Sequence, residues 1–268
     1  MLIDILIAIF FFLVGLEIRN GLKDLRTAIV PIVAALGGMI APALIFLALN
    51  PGSHVWATAM PTDIALALGV LSLLGRRVNV NVRLFLLTLA IADDLFSLIV
   101  LGAFYGDDLH PAKALSTLGA AAIGFILPLR AHQAAKVIKI LTPVSTYLIV
   151  PIIIIVNIPF DIDLSSFGSK TTLSIVLARS IGKIIGITLF ALIAVKVFRS
   201  ELKISKFELV GGSALAGMGL AVSIMIANLS YTSEVLLNQA KVGLLWAALI
   251  SAILGSLILI AGSRKVKE

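Results

Sequence analysis

Five ionisable residues interrupt apolar runs of this 268-residue chain: Asp63, Asp93, Asp94, Arg179 and Lys183. Asp93 and Asp94 stand side by side in LTLAIADDLFSLIVLGAF (Leu87–Phe104), and Asp63 follows Pro61 and Thr62 in ATAMPTDIALALGVL. A charge buried in hydrocarbon is costly unless it is neutralised, paired or functional. A structural salt bridge is the plain reading of one such pair, but three acids and a lysine at similar depth on three runs favour function. Adjacent helical residues point about 100° apart, so Asp93 and Asp94 cannot serve the same site. One is expected to face Asp63 and form an acidic cation site; the other is expected to face Lys183. Two close carboxylates in a poorly solvated cavity resist double ionisation, so the pair holds a proton readily. An arriving cation stabilises the charged form and displaces that proton. Competition of proton and cation for one pair of oxygens is the physical minimum for cation/proton exchange.

These residues need a membrane around them. Mean hydropathy is +1.15, 60% of residues are hydrophobic and only 13% are charged, whereas soluble domains carry roughly a quarter charged residues. The absence of cysteine removes disulfides, thiolate catalysis and cysteine metal sites. His54, His110 and His132 fall in connectors without metal-ligand spacing. A net charge of +7 does not indicate nucleic acid, because the basic residues recur between apolar runs.

Nine apolar stretches are read as spans: about 1–16, 28–49, 56–75, 84–105, 114–129, 140–159, 171–198, 208–229 and 239–262. Most approach the roughly 20 residues that a helix needs to cross hydrocarbon, and the first and fifth are short. Sixteen basic residues, among them Arg19, Arg83, Arg130, Lys136, Lys139, Lys196 and Lys203, fall in alternate connectors and the tail. The opposite connectors hold only Lys113, Lys170 and Lys241, together with Asp107, Asp108, Asp161, Asp163 and Glu234. By the positive-inside rule the carboxyl terminus is cytoplasmic and the amino terminus outside. The first run lacks a basic stretch before it and a clear cleavage site, so it reads as a retained helix rather than a signal peptide.

Two spans are expected to be broken. Pro61 lacks an N–H and clashes with the preceding turn, so continuous helix through Met60–Pro61 is disfavoured. The carbonyls released there are candidate cation ligands, with the Thr62 hydroxyl beside them. The helix that starts near Thr62 presents a positive end, which Asp63 is placed to offset; Lys183 is expected to offset exposed carbonyl ends. The eighth span, GGSALAGMGLAVSIMIANL, contains Gly211, Gly212, Gly217 and Gly219. Glycines there serve either close helix packing or a second interruption. Gly182 and Gly186 flank Lys183 in a spacing that lets a neighbouring helix approach. Spans two to four (28–105) and seven to nine (171–262) each put the broken helix second of three, entering from opposite sides, which is the organisation of an inverted repeat.

The chain resembles the NhaA-type sodium/proton antiporters. FFLVGLE (Phe11–Glu17), IVAALGGMIAPAL (Ile32–Leu44), TDIALALGVLSLLG (Thr62–Gly75) and LAIADDL (Leu89–Leu95) are similar to the first half of that family. IGKIIGI (Ile181–Ile187) and GMGLAVSIMIA (Gly217–Ala227) are similar to the second. The resemblance implies an all-α polytopic membrane protein whose core is two inverted three-helix repeats with crossing, unwound helices broken at Met60, Pro61, Gly217 and Gly219. Residues 28–105 and 171–262 form that core, 1–27 and 106–170 a reduced scaffold, and 263–268 a cytoplasmic tail. Asp94 is then the main ion and proton carrier, with Asp63 and Thr62 at the crossing, Na+ held at Asp94 and Asp63, and Asp93 paired with Lys183. The implied activity is exchange of sodium or lithium for protons, two per sodium ion, across the bacterial inner membrane. No cofactor is expected beyond the transported ions, and the expected partners are lipid and a second copy of the chain.

The departures from that family are specific. It usually has twelve spans; this chain begins at what resembles the second helix and lacks two between Tyr105 and Leu115, which weakens the expected homodimer. Glu17 is a candidate pH-sensing residue, but Asn20 and Gly21 replace charged positions, and Ile138, Lys139 and Thr142 stand where a histidine and a glutamate are expected. Pro61 directly precedes Thr62, whereas the family places it two residues earlier. Ala221 replaces a threonine. Arg179 lies one turn before Lys183 where an apolar residue is usual. It is expected either to pair with an acid and suppress ion binding or, preferentially, to snorkel to the outer surface. The alternative function is therefore a transport-inactive homologue that retains the fold. An enzyme is not expected: two aspartates on separate helices could share a proton and activate water as in an intramembrane aspartyl protease, but the second candidate helix lacks a glycine-flanked catalytic aspartate, since GMGL has no acid where one is needed.

Overall fold

The computed structural model describes residues 2–21, 25–75, 78–105, 115–157 and 164–265. The connector residues Lys23, Arg76, Arg77, Asp107, Asp108, His110, Lys113, Asp161, Asp163 and Lys267 lie outside the described residues. Eleven α-helices, and no strand, occur among the described residues. In a bilayer each backbone polar group must be satisfied within its segment, and the helix does this.

Helix α1 covers Leu2–Gly21 and α2 covers Leu25–Leu49, with Pro31 and Pro42 inside it. A 3-10 turn (Trp56–Ala59) and α3 (Ile64–Leu74) are the two parts of the expected third span, separated at Met60–Asp63. Arg83 donates to the carbonyls of Leu71 (3.0 Å) and Gly75 (3.1 Å) and so closes the end of α3. Helix α4 (Val80–Tyr105) carries the aspartate pair. A π-helical turn (Leu115–Gly119) leads into the short α5, Ala120–Ile126.

Helix α6 (Ala131–Val144) runs through a second π-helical turn (Ser145–Ile149) into α7 (Val150–Asn157). The helix thus starts nine residues before the stretch 140–159 read from hydropathy. Gln133 accepts from the Arg130 N–H at 3.0 Å and fixes the start, while the polar residues that follow hide it from a hydropathy reading. Helix α8 covers Lys170–Phe198 and is capped by Ser169, which accepts from the Thr172 N–H. The eighth span is α9 (Lys206–Leu215), opened by a Ser205–Glu208 capping box, and α10 (Ala221–Ser230). Helix α11 covers Glu234–Lys265.

Among the described residues, five helical segments are long and apolar enough to cross a membrane: Ala28–Leu49, Val80–Tyr105, His132–Asn157, Lys170–Phe198 and Glu234–Gly262. The interrupted spans are made of shorter pieces. Helix α8 shows how lipid reverses the usual pattern. Leu173, Leu177, Ile181, Ile185, Leu189 and Ile193 are exposed along one face, while Ser174, Arg179, Gly182 and Lys183 are buried on the other. An apolar stripe facing outward with charge facing inward suits hydrocarbon and would be unfavourable in water.

Helices α2 and α8 form the most intimate pair. A methyl group on Gly182 would meet Pro42, and one on Gly186 would meet the Gly37 carbonyl, so backbone packs on backbone beside Lys183. The Gly182–Gly186 spacing therefore admits α2. On the other side of the molecule, α1 packs on α5 through Gly15 and Gly124 in the same manner.

Candidate functional site

The two interruptions meet. A Cβ on Gly219 would collide with the Pro61 carbonyl and with the Arg179 guanidinium, so only glycine permits the two unwound segments to approach this closely. Met60, Pro61, Thr62, Gly217 and Gly219 all lie in the buried centre formed by these segments. Met60 ends the 3-10 turn with its side chain in the apolar core.

Asp63 is buried at 4% exposure and has extended backbone. Its Oδ2 accepts from the Leu220 N–H (3.0 Å) and the Ala221 N–H (2.7 Å). It thus offsets the positive end of α10, and makes no capping bond to its own helix α3. This corrects the expectation drawn from sequence. An extended residue that opens a half-helix can direct its carboxylate across the crossing to the facing helix start.

Asp93 and Asp94 part as the helical geometry requires. Asp93 is fully buried. Its Oδ2 accepts from the Thr62 N–H at 2.6 Å, and its Oδ1 lies 3.5 Å from Lys183 Nζ. Lys183, also fully buried, donates at 2.7 Å to the Thr62 hydroxyl. Lys183 therefore serves Thr62 and Asp93 rather than the exposed carbonyl ends expected of it.

Asp94 is half-buried and has no hydrogen-bond partner among the described residues. It lines a cavity of about 30 Å³ with Asp63, Thr62, Glu17, Thr142, Ser145 and Thr146, enough for one or two waters. Glu17 Oε1 accepts from the Thr142 hydroxyl at 2.9 Å, so this acid of α1 faces the same cavity. Phe10, Leu13 and Val14 form its apolar wall. Phe10 and Ala221 also line a second cavity, of about 90 Å³, that contains Asp4, Asn157 and Asn228; Asn228 donates to Asn157 at 2.9 Å. No group of three or more His, Cys, Asp or Glu side chains suited to a resident metal occurs among the described residues.

Arg179 makes no ion pair with an acid among the described residues and does not reach the surface. It is fully buried, and its guanidinium donates to the carbonyls of Thr58 (3.2 Å), Pro61 (2.7 Å) and Gly217 (3.3 Å) and to the Ser223 hydroxyl (2.7 Å). Snorkelling requires a short path to water, and here the side chain is held by acceptors from both broken helices instead. The sequence reading names Thr142 only as a departure from the family, and does not point to Ser145 or Ser223. Ser223 lies two residues after Ala221, so a survey of hydroxyls next to the predicted breaks would have found it. His54 and His132 are exposed, away from the acids.

Comparison with known proteins follows the same lines. The family model described as Na+/H+ antiporter 1 matches residues 1–135 and 114–259. The Na(+)/H(+) antiporter NhaA of Citrobacter koseri is 33% identical over 312 aligned residues, covering 94% of this chain and 80% of that protein. The Na(+)/H(+) antiporters NhaA of Salmonella arizonae and Escherichia coli O1:K1 match with the same identity and coverage. The aligned length exceeds the 268 residues of this chain, so these relatives carry residues that have no counterpart in it.

Proposed function

The chain belongs to the Na+/H+ antiporter 1 family, and from that premise we propose that it exchanges protons for sodium by competition at Asp94 and Asp63 in the bacterial inner membrane. It is a multi-pass membrane protein and a transporter by family. One observation carries the assignment of roles. Asp93 is committed to the Thr62 N–H and Lys183, and Asp63 gives one oxygen to α10, but Asp94 has no hydrogen bond among the described residues and lines a cavity that it shares with Asp63. A carboxylate without protein donors exchanges a proton for a metal ion without breaking other bonds.

In this reading, sodium or lithium is held by Asp94 and by Asp63, with an oxygen from Thr62. Hard monovalent cations favour such oxygen donors. Protonation of the acids releases the cation, since the two occupants need the same lone pairs. Asp93 and Lys183 neutralise each other and keep the Asp94 face of α4 in register. Helices α2 to α4 and α8 to α11 form the ion-binding core as inverted repeats, and α1 with α5 to α7 form the scaffold. The amino terminus lies outside and the carboxyl terminus in the cytoplasm. The Glu17 wall of the acid cavity then belongs to the cytoplasmic half and the Asp4 cavity to the outer half, with Phe10 between them. Glu17 is a fitting pH-sensing group because it lines the acid cavity itself.

The transport-inactive alternative drew on the missing scaffold helices and on Arg179 as a partner that would neutralise an acid; the second ground weakens, because the hydrogen bonds of Arg179 go to carbonyls and a hydroxyl. Everted membrane vesicles test the proposal. Added sodium or lithium is expected to dissipate an imposed pH gradient, and Asp94→Asn to abolish the response. A full response in Asp94→Asn would overturn the assignment, and no response in the parent chain would overturn the function.

A further inference from the structure

Three backbone carbonyls and a hydroxyl converging in a buried pocket are what a cation site is made of. Here the occupant is part of the chain. Arg179 is 0% exposed and makes no ion pair with a carboxylate among the described residues; four of its contacts are to Thr58 O, Pro61 O, Gly217 O and Ser223 Oγ. Thr58 and Pro61 belong to the first interruption, Gly217 and Ser223 to the second. A guanidinium is planar, permanently charged and carries five N–H donors, so one side chain can span acceptors on two segments, which a lysine's single ammonium cannot.

We propose that Arg179 is a tethered cation filling a carbonyl-lined site at the crossing, where it acts as the positioning residue for Asp63, and that the same site, once vacated, binds a free guanidinium ion. Pro61 lies two residues before Asp63, and Gly217 lies shortly before the Leu220 and Ala221 N–H groups that hold the Asp63 carboxylate. Tying both carbonyls to one rigid fork fixes the separation across which Asp63 reaches α10. Two consequences follow. The carbonyls released by Pro61 are not ligands for the transported ion, which is left with side-chain oxygens. Lys183 is relieved of the helix ends, so its charge goes to Asp93 and Thr62. Negative Asp63 at a helix start and positive Arg179 at the carbonyl ends together balance the partial charges of the crossing.

The role in exchange rests on the antiporter reading, while the guanidinium site does not, so the test has two readouts. In thermal unfolding of the detergent-solubilised chain, Arg179→Ala is expected to lower the midpoint. Millimolar guanidinium is expected to restore part of that loss in Arg179→Ala and none in the parent, with choline at equal ionic strength inactive. In everted vesicles, Arg179→Ala is expected to raise the apparent KM for sodium at least about tenfold, because displaced ligands weaken a pre-organised site, and guanidinium to lower it again. Guanidinium behaving like choline in both assays, or a sodium KM equal to the parent's, overturns the proposal. If Arg179→Ala does not accumulate, Arg179→Lys decides: it keeps the charge without the fork and is expected to show a lower midpoint and a raised KM, whereas parent-like values of both overturn the proposal. Absence of exchange in the parent defeats the antiporter reading alone, and the thermal readout still decides the site.

Discussion

The interruption at Met60–Asp63 and the one at Ala216–Leu220 are broken by different means and contribute opposite chemistry. In the first, Pro61 removes a backbone donor, and the segment offers acceptors: the Thr58 and Pro61 carbonyls and the Asp63 carboxylate. In the second, Gly217 and Gly219 remove side chains, and the segment offers the Leu220 and Ala221 N–H groups at a helix start. Proline leaves carbonyls without partners; glycine lets another backbone come close. Neither segment satisfies all of its own polar groups. Each completes the other, and Arg179 joins the acceptors of both.

The comparison can be broken at several points. Lys183 touches only the first segment, through Thr62. Lys183→Met strands Asp93 as an unpaired buried charge and is expected to cost about 3–5 kcal/mol. Chemical or thermal unfolding should show it, and Asp93→Asn in the same chain should recover part of the loss. Gly219→Ala forces a methyl group against the Pro61 carbonyl and Arg179 and is expected to cost about 2–3 kcal/mol. A parent-like unfolding midpoint for that variant would mean that the segments need not touch.

Asp63→Asn separates the capping role from the charge. The amide oxygen can still accept from Leu220 and Ala221, so stability should fall by only about 1–2 kcal/mol, while sodium-dependent exchange in vesicles is lost. The smallest effect is expected from Ser223→Ala, which removes one of the four acceptors around Arg179 and should cost about 1 kcal/mol with exchange retained. A larger loss there than in Gly219→Ala would invert the ranking and make the hydroxyl the principal anchor.

Particular residues show how far the sequence could be read. Nine apolar runs and the break at Pro61 follow from hydropathy and from proline's missing donor, and the structure interrupts the helix at that place. The divergence of Asp93 and Asp94 follows from helical geometry, and the packing role of Gly182 and Gly186 from their spacing. Arg179 was misread because its partners are backbone carbonyls. Every residue has one, so no residue type announces where a guanidinium will find three together. The helix that Asp63 caps was misread for a related reason: a cap to the next residues is a local expectation, and the donors used lie 157 and 158 residues away. The start of α6 escaped because hydropathy reports the apolar part of a helix, not its capped beginning.

Composition and spacing by themselves determined that this chain crosses a membrane, that one of its helices breaks at Pro61, and that five charged groups stand where water is scarce. These depend on solvent transfer and local geometry, which each stretch of sequence carries alone. Only the tertiary structure decided that Asp63 reaches across to α10, and that Arg179 rather than Lys183 serves the carbonyl ends. Those outcomes depend on donors and acceptors brought together from distant segments, and hydrogen bonds act only over about 3 Å once the chain has folded.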